Sequence, residues 1–104
     1  MSKLTSLRRA DQFKKVKKDG QKIVNNGLEV FILNSGIVET RLGIQISSKI
    51  ANSVTRNKVR RRIKEAARFL EKKESIDIVV VVKKKGLEAD LFTIENTLKE
   101  HPSL

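Results

Sequence analysis

The stretch that decides the fold reads SSKIANSVTRNKVRRRIKEAAR and runs from residue 47 to residue 68. In it and just beyond it, apolar residues recur at offsets of four, seven, eight and eleven, the spacing of one stripe along an α-helix. The stripe consists of Val59, Ile63, Ala66, Ala67 and Leu70. It predicts an amphipathic helix within residues 52–73 whose apolar side covers a core.

The other side of this predicted helix is cationic. Residues 52–73 contain nine Lys or Arg and two Glu, a net charge of +7 out of +11 for the whole chain. A face that only has to be soluble usually mixes both signs of charge, so this face favours a polyanion as its ligand. The residues opposite the stripe or beside it are Asn57, Lys58, Arg60, Arg61, Lys64 and Arg68.

Length and composition narrow the class of protein. A chain of 104 residues predicts one domain, residues 1–104, and a pI near 10.3 indicates nucleic acid or another anionic partner. The absence of Cys and the single His exclude disulfides and zinc fingers. No apolar run approaches 18 residues and the N-terminus is not typical of a signal peptide, so we expect a cytoplasmic protein with no membrane partner.

Three segments before the basic helix have clear patterns. Residues 4–19 predict a helix with Thr5 or Ser6 as its N-cap and Gly20 as its stop. Residues 28–34 and 41–48 alternate as strands and are joined by turn residues, so we expect them to pair as an antiparallel hairpin. A short extra strand is possible at residues 22–24.

Two segments follow the basic helix. Residues 76–82, IDIVVVV, predict a central strand buried on both faces. Asp90 predicts the N-cap of a last helix, after which His101 should lie in a frayed end. The order α-β-β(-β)-α-β-α therefore predicts an α+β fold, a mixed sheet with its helices on one face.

The second strand of the expected hairpin has one small and polar face, made by Gly43, Gln45 and Ser47. If Phe31 lies beside this face, its ring offers a base of single-stranded nucleic acid a platform for stacking. Phe13 is an equal candidate for that role, although most Phe residues simply pack in cores. No cluster of carboxylates, no nucleophile with a base and no glycine-rich phosphate loop accompanies these residues, so the pattern predicts a binding module without catalytic residues.

Residues 49–66, KIANSVTRNKVRRRIKEA, resemble the signature of the bacterial ribonuclease P protein subunit. Residues 7–16 are similar to the first helix of that family. The resemblance implies an α/β sandwich like domain 2 of ribosomal protein S5, with a left-handed βαβ crossover around the basic helix. It also implies a monomer that binds one catalytic RNA and promotes removal of the 5′ leader from precursor tRNA. The RNA and its Mg²⁺ ions would perform the endonucleolytic hydrolysis, and the protein alone would be inactive and hold no metal tightly.

The resemblance also assigns residues to two surfaces. The catalytic RNA would be contacted by Arg56, Asn57, Lys58, Arg60, Arg61, Lys64 and Arg68. The leader would be contacted by Phe13, Lys17, Phe31, Gln45, Ser47, Lys49 and Asn52. Three positions depart from the usual pattern of the family: Lys58 replaces Arg, Ala51 replaces Gly, and Lys17 replaces an aromatic residue.

Two other functions use the same basic helix. A ribosomal protein or RNA chaperone would bind structured RNA without affecting precursor tRNA. A DNA-binding regulator is disfavoured, because no helix immediately precedes residues 52–73 to complete a helix-turn-helix.

Overall fold

A computed structural model describes residues 4–37 and 39–104 of the chain. In chain order, the helices and strands of this part are β1 (Leu4–Ser6), α1 (Ala10–Asp19), β2 (Gln21–Asn25), β3 (Leu28–Asn34), β4 (Thr40–Ile46), α2 (Ser53–Ala66), β5 (Ile76–Val82) and α3 (Leu91–Lys99). Two 3₁₀ turns, Arg68–Lys72 and Lys84–Glu88, follow α2 and β5. No helix of the described residues is long and apolar enough to cross a membrane.

The strands form one sheet in the order β1-β4-β5-β3-β2. β5 runs parallel to β4 and antiparallel to β3, and its side chains from Asp77 to Val80 are buried. The central position predicted for this strand is therefore confirmed. The hairpin predicted between β3 and β4 is wrong, because β5 lies between them. A strand that is apolar on both faces is best covered at the centre of a sheet, where helices can pack on its faces and a neighbouring strand pairs with each of its edges.

The apolar stripe of α2 packs on one face of this sheet, and its five predicted residues are all buried. α2 begins after Asn52, whose side-chain oxygen accepts a hydrogen bond of 2.9 Å from the backbone N–H of Thr55. The α-helix ends at Ala66, and Leu70 reaches the same core from the following 3₁₀ turn. The prediction of one amphipathic helix within residues 52–73 is thus confirmed except for its tighter last turn.

The first predicted helix is shorter than expected. Residues 4–6 form β1 along the outer edge of β4, so neither Thr5 nor Ser6 caps a helix. The cap is Arg9, whose backbone N–H donates to the side-chain oxygen of Gln12 at 3.3 Å. Gly20 does follow the helix, but its φ of −78° is available to any residue. Glycine fits there because a Cβ would lie 2.5 Å from the carbonyl oxygen of Val16.

The prediction that all helices share one face of the sheet is also wrong. α2 and α3 pack on one face, but Val16 of α1 is buried on the other face with Leu7, Phe31 and Val79. Strand β3 carries apolar residues on both of its faces, and Phe31 needs a cover of its own. α1 supplies that cover, so the sheet lies between two helical layers.

The C-terminal segment is ordered around His101. This residue is 1% exposed, and its Nε2 lies 2.8 Å from the carbonyl oxygen of Gln21 in β2. Its Nδ1 accepts a hydrogen bond of 3.1 Å from the backbone N–H of Ser103. The expectation of a frayed end is therefore wrong. Upstream, Asp90 caps α3 as predicted, and the hydrogen bond from the backbone N–H of Thr93 lowers the pKa of this carboxyl.

One ion pair ties the central strands together. Both oxygens of Asp77 in β5 accept hydrogen bonds from the guanidinium of Arg41 in β4, at 2.7 and 2.6 Å. Asp77 is 4% exposed, so this two-point contact provides the charge compensation that a buried carboxylate requires. The same hydrogen bonds raise the pKa of Arg41.

Candidate nucleic-acid interface

The outward face of α2 forms a cationic ridge. Of the residues predicted to contact catalytic RNA, Asn57, Arg61, Lys64 and Arg68 face away from the core and are exposed. Arg68 lies 3.3 Å from Glu65, an exposed pair of the kind that contributes little to stability. The ridge is therefore open to an anionic ligand along its whole length.

The two flanks of α2 have different environments. Lys58 is exposed on the flank toward α3, where Arg62 donates hydrogen bonds to the carbonyl oxygens of Ala89 at 2.8 Å and Leu87 at 3.3 Å. On the opposite flank, Arg60 faces β4. The three consecutive arginines of α2 thus divide into one that faces β4, one on the ridge and one that fastens α2 to the segment before α3.

Arg56 lies on the same flank as Arg60, and its Nε differs from the other side-chain donors of α2. This atom is buried and has no hydrogen-bond partner among the described residues. A buried donor without a partner costs free energy, and more so on a charged group.

A groove extends from the ends of β4 and β5 along β4 to Phe13 of α1, with Arg60 of α2 in its lining, and we refer to it as the β4-edge groove. It consists of two adjoining cavities of about 490 and 140 Å³ that share Ile44 and Arg60 in their lining. Ile46, Ile50 and Val82 give it an apolar floor. Its cationic and aromatic lining residues are Phe13, Arg60, Lys64, Lys83 and Lys84.

Several residues predicted to contact the leader meet in this groove. Phe13 is half-buried and packs so closely on Gly43 that a Cβ there would lie 2.5 Å from the ring. Gln45 and Ser47 line the larger cavity, and the Lys17 ammonium donates to the side-chain oxygen of Gln45 at 3.0 Å. The structure therefore brings an aromatic ring, an amide and an ammonium group together on one wall.

The remaining residues predicted to contact the leader stand near the start of α2. Lys49 is exposed, and its backbone N–H donates to the hydroxyl oxygen of Ser47 at 3.1 Å. Asn52 is exposed, and its side-chain oxygen accepts the hydrogen bond of the helix cap. Both residues can donate hydrogen bonds to a strand that leaves the groove at this end.

Phe31 does not belong to the groove. It is 6% exposed and lies beneath α1 in the core with Val16 and Val79, and the Lys22 ammonium is 5.6 Å from its ring centroid. The role predicted for it assumed that β3 lies next to β4, whereas β5 separates them. A ring with so little free surface cannot serve as an open stacking platform, so this prediction is corrected.

Lys83 and Lys84 are the site residues that the sequence reasoning missed. They follow β5 directly and line the larger cavity of the groove together with Arg60. Parallel pairing of β4 and β5 places the ends of the two strands, Ile46 and Val82, side by side. A prediction of that pairing would have identified the two lysines. A basic cluster after one strand and a polar Ser47 after the other must then share one edge of the sheet.

These features define a candidate nucleic-acid-binding protein of the mixed α+β class, with a cationic helix beside a groove that has an apolar floor. The chain belongs to the ribonuclease P protein family, since the sequence model of the family described as Ribonuclease P matches residues 1–102. The predicted membership is confirmed.

Relatives in sequence and structure agree. The ribonuclease P protein component of Thermoanaerobacter sp. (strain X514) is 33% identical over 100 residues, covering 94% of this chain and 86% of the relative. That of Clostridioides difficile (strain 630) is 36% identical over 96 residues, covering 89% and 84%.

A solved RNase P protein from Staphylococcus aureus is similar with a TM-score of 0.78 at 28% identity, covering 90% of this chain and 88% of that one. The RNase P protein from Thermotoga maritima gives 0.76 at 28% identity, covering 90% and 91%. The predicted α+β class is thereby confirmed, whereas the left-handed hand of the β4–α2–β5 crossover stays a prediction.

Proposed function

We propose that this chain is the protein subunit of ribonuclease P, which binds a catalytic RNA through α2 and the 5′ leader of precursor tRNA in the β4-edge groove. The observation that carries the proposal is the continuity of the two surfaces, since Arg60 and Lys64 of α2 also line the groove. Family membership supports this function over that of a ribosomal protein or general RNA chaperone.

The residues of the chain suit binding and positioning. The cations of α2 form contacts to phosphates, which fix the position of an RNA without reading its sequence. Phe13 offers a ring on which any base can stack, and the apolar floor at Ile44 and Ile50 accepts bases in the same unspecific way. A subunit that serves many different leaders requires this tolerance.

The hydrolysis itself belongs to the RNA and its Mg²⁺ ions in this proposal. Among the described residues, no three His, Asp or Glu side chains come together as possible metal ligands. The contribution of the chain is to bind the RNA and the leader, as one cytoplasmic protein monomer per catalytic RNA.

The first experiment is cleavage of precursor tRNA at low Mg²⁺ by a bacterial catalytic RNA, with and without this protein. We expect the protein alone to cleave nothing, and its addition to the RNA to restore removal of the leader at the correct site. Tight RNA binding without restored cleavage, for several catalytic RNAs, would instead support the chaperone alternative.

Two neighbouring arginines provide a matched test of the ridge. Arg61 is exposed and faces outward, so Arg61→Ala should weaken catalytic-RNA binding and reduce the slope of log affinity against log salt by about 1. Arg62→Ala removes two hydrogen bonds to backbone carbonyls and should instead cost about 1–3 kcal/mol of folding stability. Filter binding across a salt series and urea unfolding separate the two effects. A loss of stability without a loss of binding in the Arg61 variant would remove that residue from the interface.

A further inference from the structure

We infer that the leader strand continues beyond the β4-edge groove and over the outer side of α1, where Lys14 and Lys18 hold phosphates of its upstream nucleotides. This inference rests on the proposed function and extends it to long leaders. We refer to Lys17, Lys14 and Lys18 as the α1 track.

The track begins at the wall of the groove. Phe13 lines the groove, and Lys17, next to it around the helix, is fixed by its hydrogen bond of 3.0 Å to Gln45. The partner of this ammonium is a neutral amide, so its positive charge is not neutralised and two of its three donors stay available. A phosphate leaving the groove on this side therefore meets an oriented cation.

The next cations follow around the helix in one direction. At about 100° per residue, Lys17, Lys14 and Lys18 lie about 40°, 100° and 140° from Phe13. Val16 is buried on the sheet and lies on the other side of Phe13, so the direction of increasing angle leads outward. The side chains thus form a path that climbs from the groove over the exposed side of α1.

Stability does not explain these lysines. A favourable interaction with the helix dipole applies to Lys17 and Lys18 in the last turn, but Lys14 lies one turn earlier. Lys14 and Lys18 are four residues apart, where like charges destabilise a helix. Within residues 4–37 and 39–104, no carboxylate lies within ion-pair distance of either lysine, and Asp11 of the same helix is paired with Arg9 at 3.1 Å.

The position of α1 favours the leader as occupant over the catalytic RNA. α1 packs on the face of the sheet opposite to α2, so the ridge of α2 and the outer side of α1 face in different directions. A strand that already lies in the groove passes directly from Phe13 to Lys17. Continuity with the groove therefore points to single-stranded nucleotides upstream of those in the groove, and the charge of the lysines suits their phosphates.

The test compares two precursor tRNAs bound by the holoenzyme, one with a leader of about five nucleotides and one of about fifteen, which span the range of single-stranded site sizes known for small folds. The variant is Lys14→Gln combined with Lys18→Gln, which keeps helix propensity. The matched control is Lys15→Gln, an exposed lysine of the same helix that lies about 200° from Phe13.

We expect the double variant to bind the long-leader precursor several-fold more weakly, with the salt slope reduced by about 1.4 for two contacts to single-stranded phosphates. Its binding of the short-leader precursor and of mature tRNA should equal that of the unmodified protein, and Lys15→Gln should change neither. An equal loss for both leader lengths, or no loss for the long one, would overturn the inference and leave the proposed function standing. If the unmodified protein fails to favour either precursor over mature tRNA, both the groove and the track are refuted.

Discussion

The most informative single residue is Phe31, because its burial and its predicted contact with the leader lead to opposite results. Its ring is 6% exposed and packs under α1 against Val16 and Val79. Truncation of a buried Phe to Ala costs about 3–5 kcal/mol. Since domains of this size have a total stability of about 5–15 kcal/mol, Phe31→Ala should remove a large share of the free energy of unfolding and lower the urea midpoint accordingly.

Phe31→Leu tests the role of the ring while keeping an apolar side chain in place. We expect it to cost about 1 kcal/mol, as apolar replacements of similar volume do, and to lower the midpoint of thermal unfolding by about 4–8 °C. Its affinity for precursor tRNA relative to mature tRNA should not change. Urea unfolding and competitive binding of the two tRNAs by the holoenzyme measure these quantities.

Phe13→Leu is the matched control, since this ring lies in the groove. Loss of one stacked base should lower affinity for precursor tRNA by about 1–3 kcal/mol and leave mature tRNA unaffected. The reasoning from burial is refuted if Phe31→Leu is as stable as the unmodified protein and selectively loses precursor tRNA. In that case the ring must emerge from beneath α1 when RNA binds.

Two further substitutions test contacts that hold the sheet and the C-terminal segment. His101→Ala should lower the free energy of unfolding in urea by about 2 kcal/mol, because it leaves the carbonyl oxygen of Gln21 without its buried partner. Unchanged stability would mean that the C-terminal segment is not docked on β2. Asp77→Asn should cost about 3 kcal/mol, because it leaves the half-buried charge of Arg41 without its carboxylate, and combining it with Arg41→Met should recover most of the loss.

The parts of the fold that were predictable carry their signal locally. The stripe from Val59 to Leu70 repeats with the helical period, and the β-branched run of β5 can be satisfied only by burial on both faces. Such patterns involve residues close in sequence, so they predict a helix or strand independently of the contacts that the rest of the chain makes. Asp90 is predictable for the same reason, since a cap and its helix are adjacent in sequence.

The errors all involve partners that are distant in the chain. β1 has three residues, too few for any periodicity, and it forms because the outer edge of β4 accepts a parallel partner. His101 is fixed by a carbonyl group 80 residues away. The pairing of β3 with β5 instead of β4 likewise depends on the competition among strands for the central position, which no single segment encodes.

For the site as well, local features were predictable from the sequence and long-range contacts were not. The sequence predicts how much charge α2 carries. It does not predict that Arg62 donates hydrogen bonds to backbone carbonyls or that Arg60 faces β4. The strand order decides that Phe31 is covered and that Lys83 joins the groove. The residue types therefore predict the kind of ligand, whereas the topology of the sheet decides which of these residues can contact the ligand.

The position of Arg60 between the ridge and the groove bears on how two RNAs can be held together. Two phosphates about 8 Å apart repel by about 0.5 kcal/mol in water, whereas a guanidinium midway between them attracts each by about 1 kcal/mol. On the proposed function, a cation shared by the catalytic RNA and the leader thus stabilises the pair by more than it stabilises either RNA alone. In that proposal Arg60 and Lys64, which belong to α2 and line the groove, would occupy the shared position, and the low polarity of the lining at Ile44 would strengthen the effect. On the same proposal, the protein would lower a repulsion between substrate and ribozyme that Mg²⁺ would otherwise have to screen.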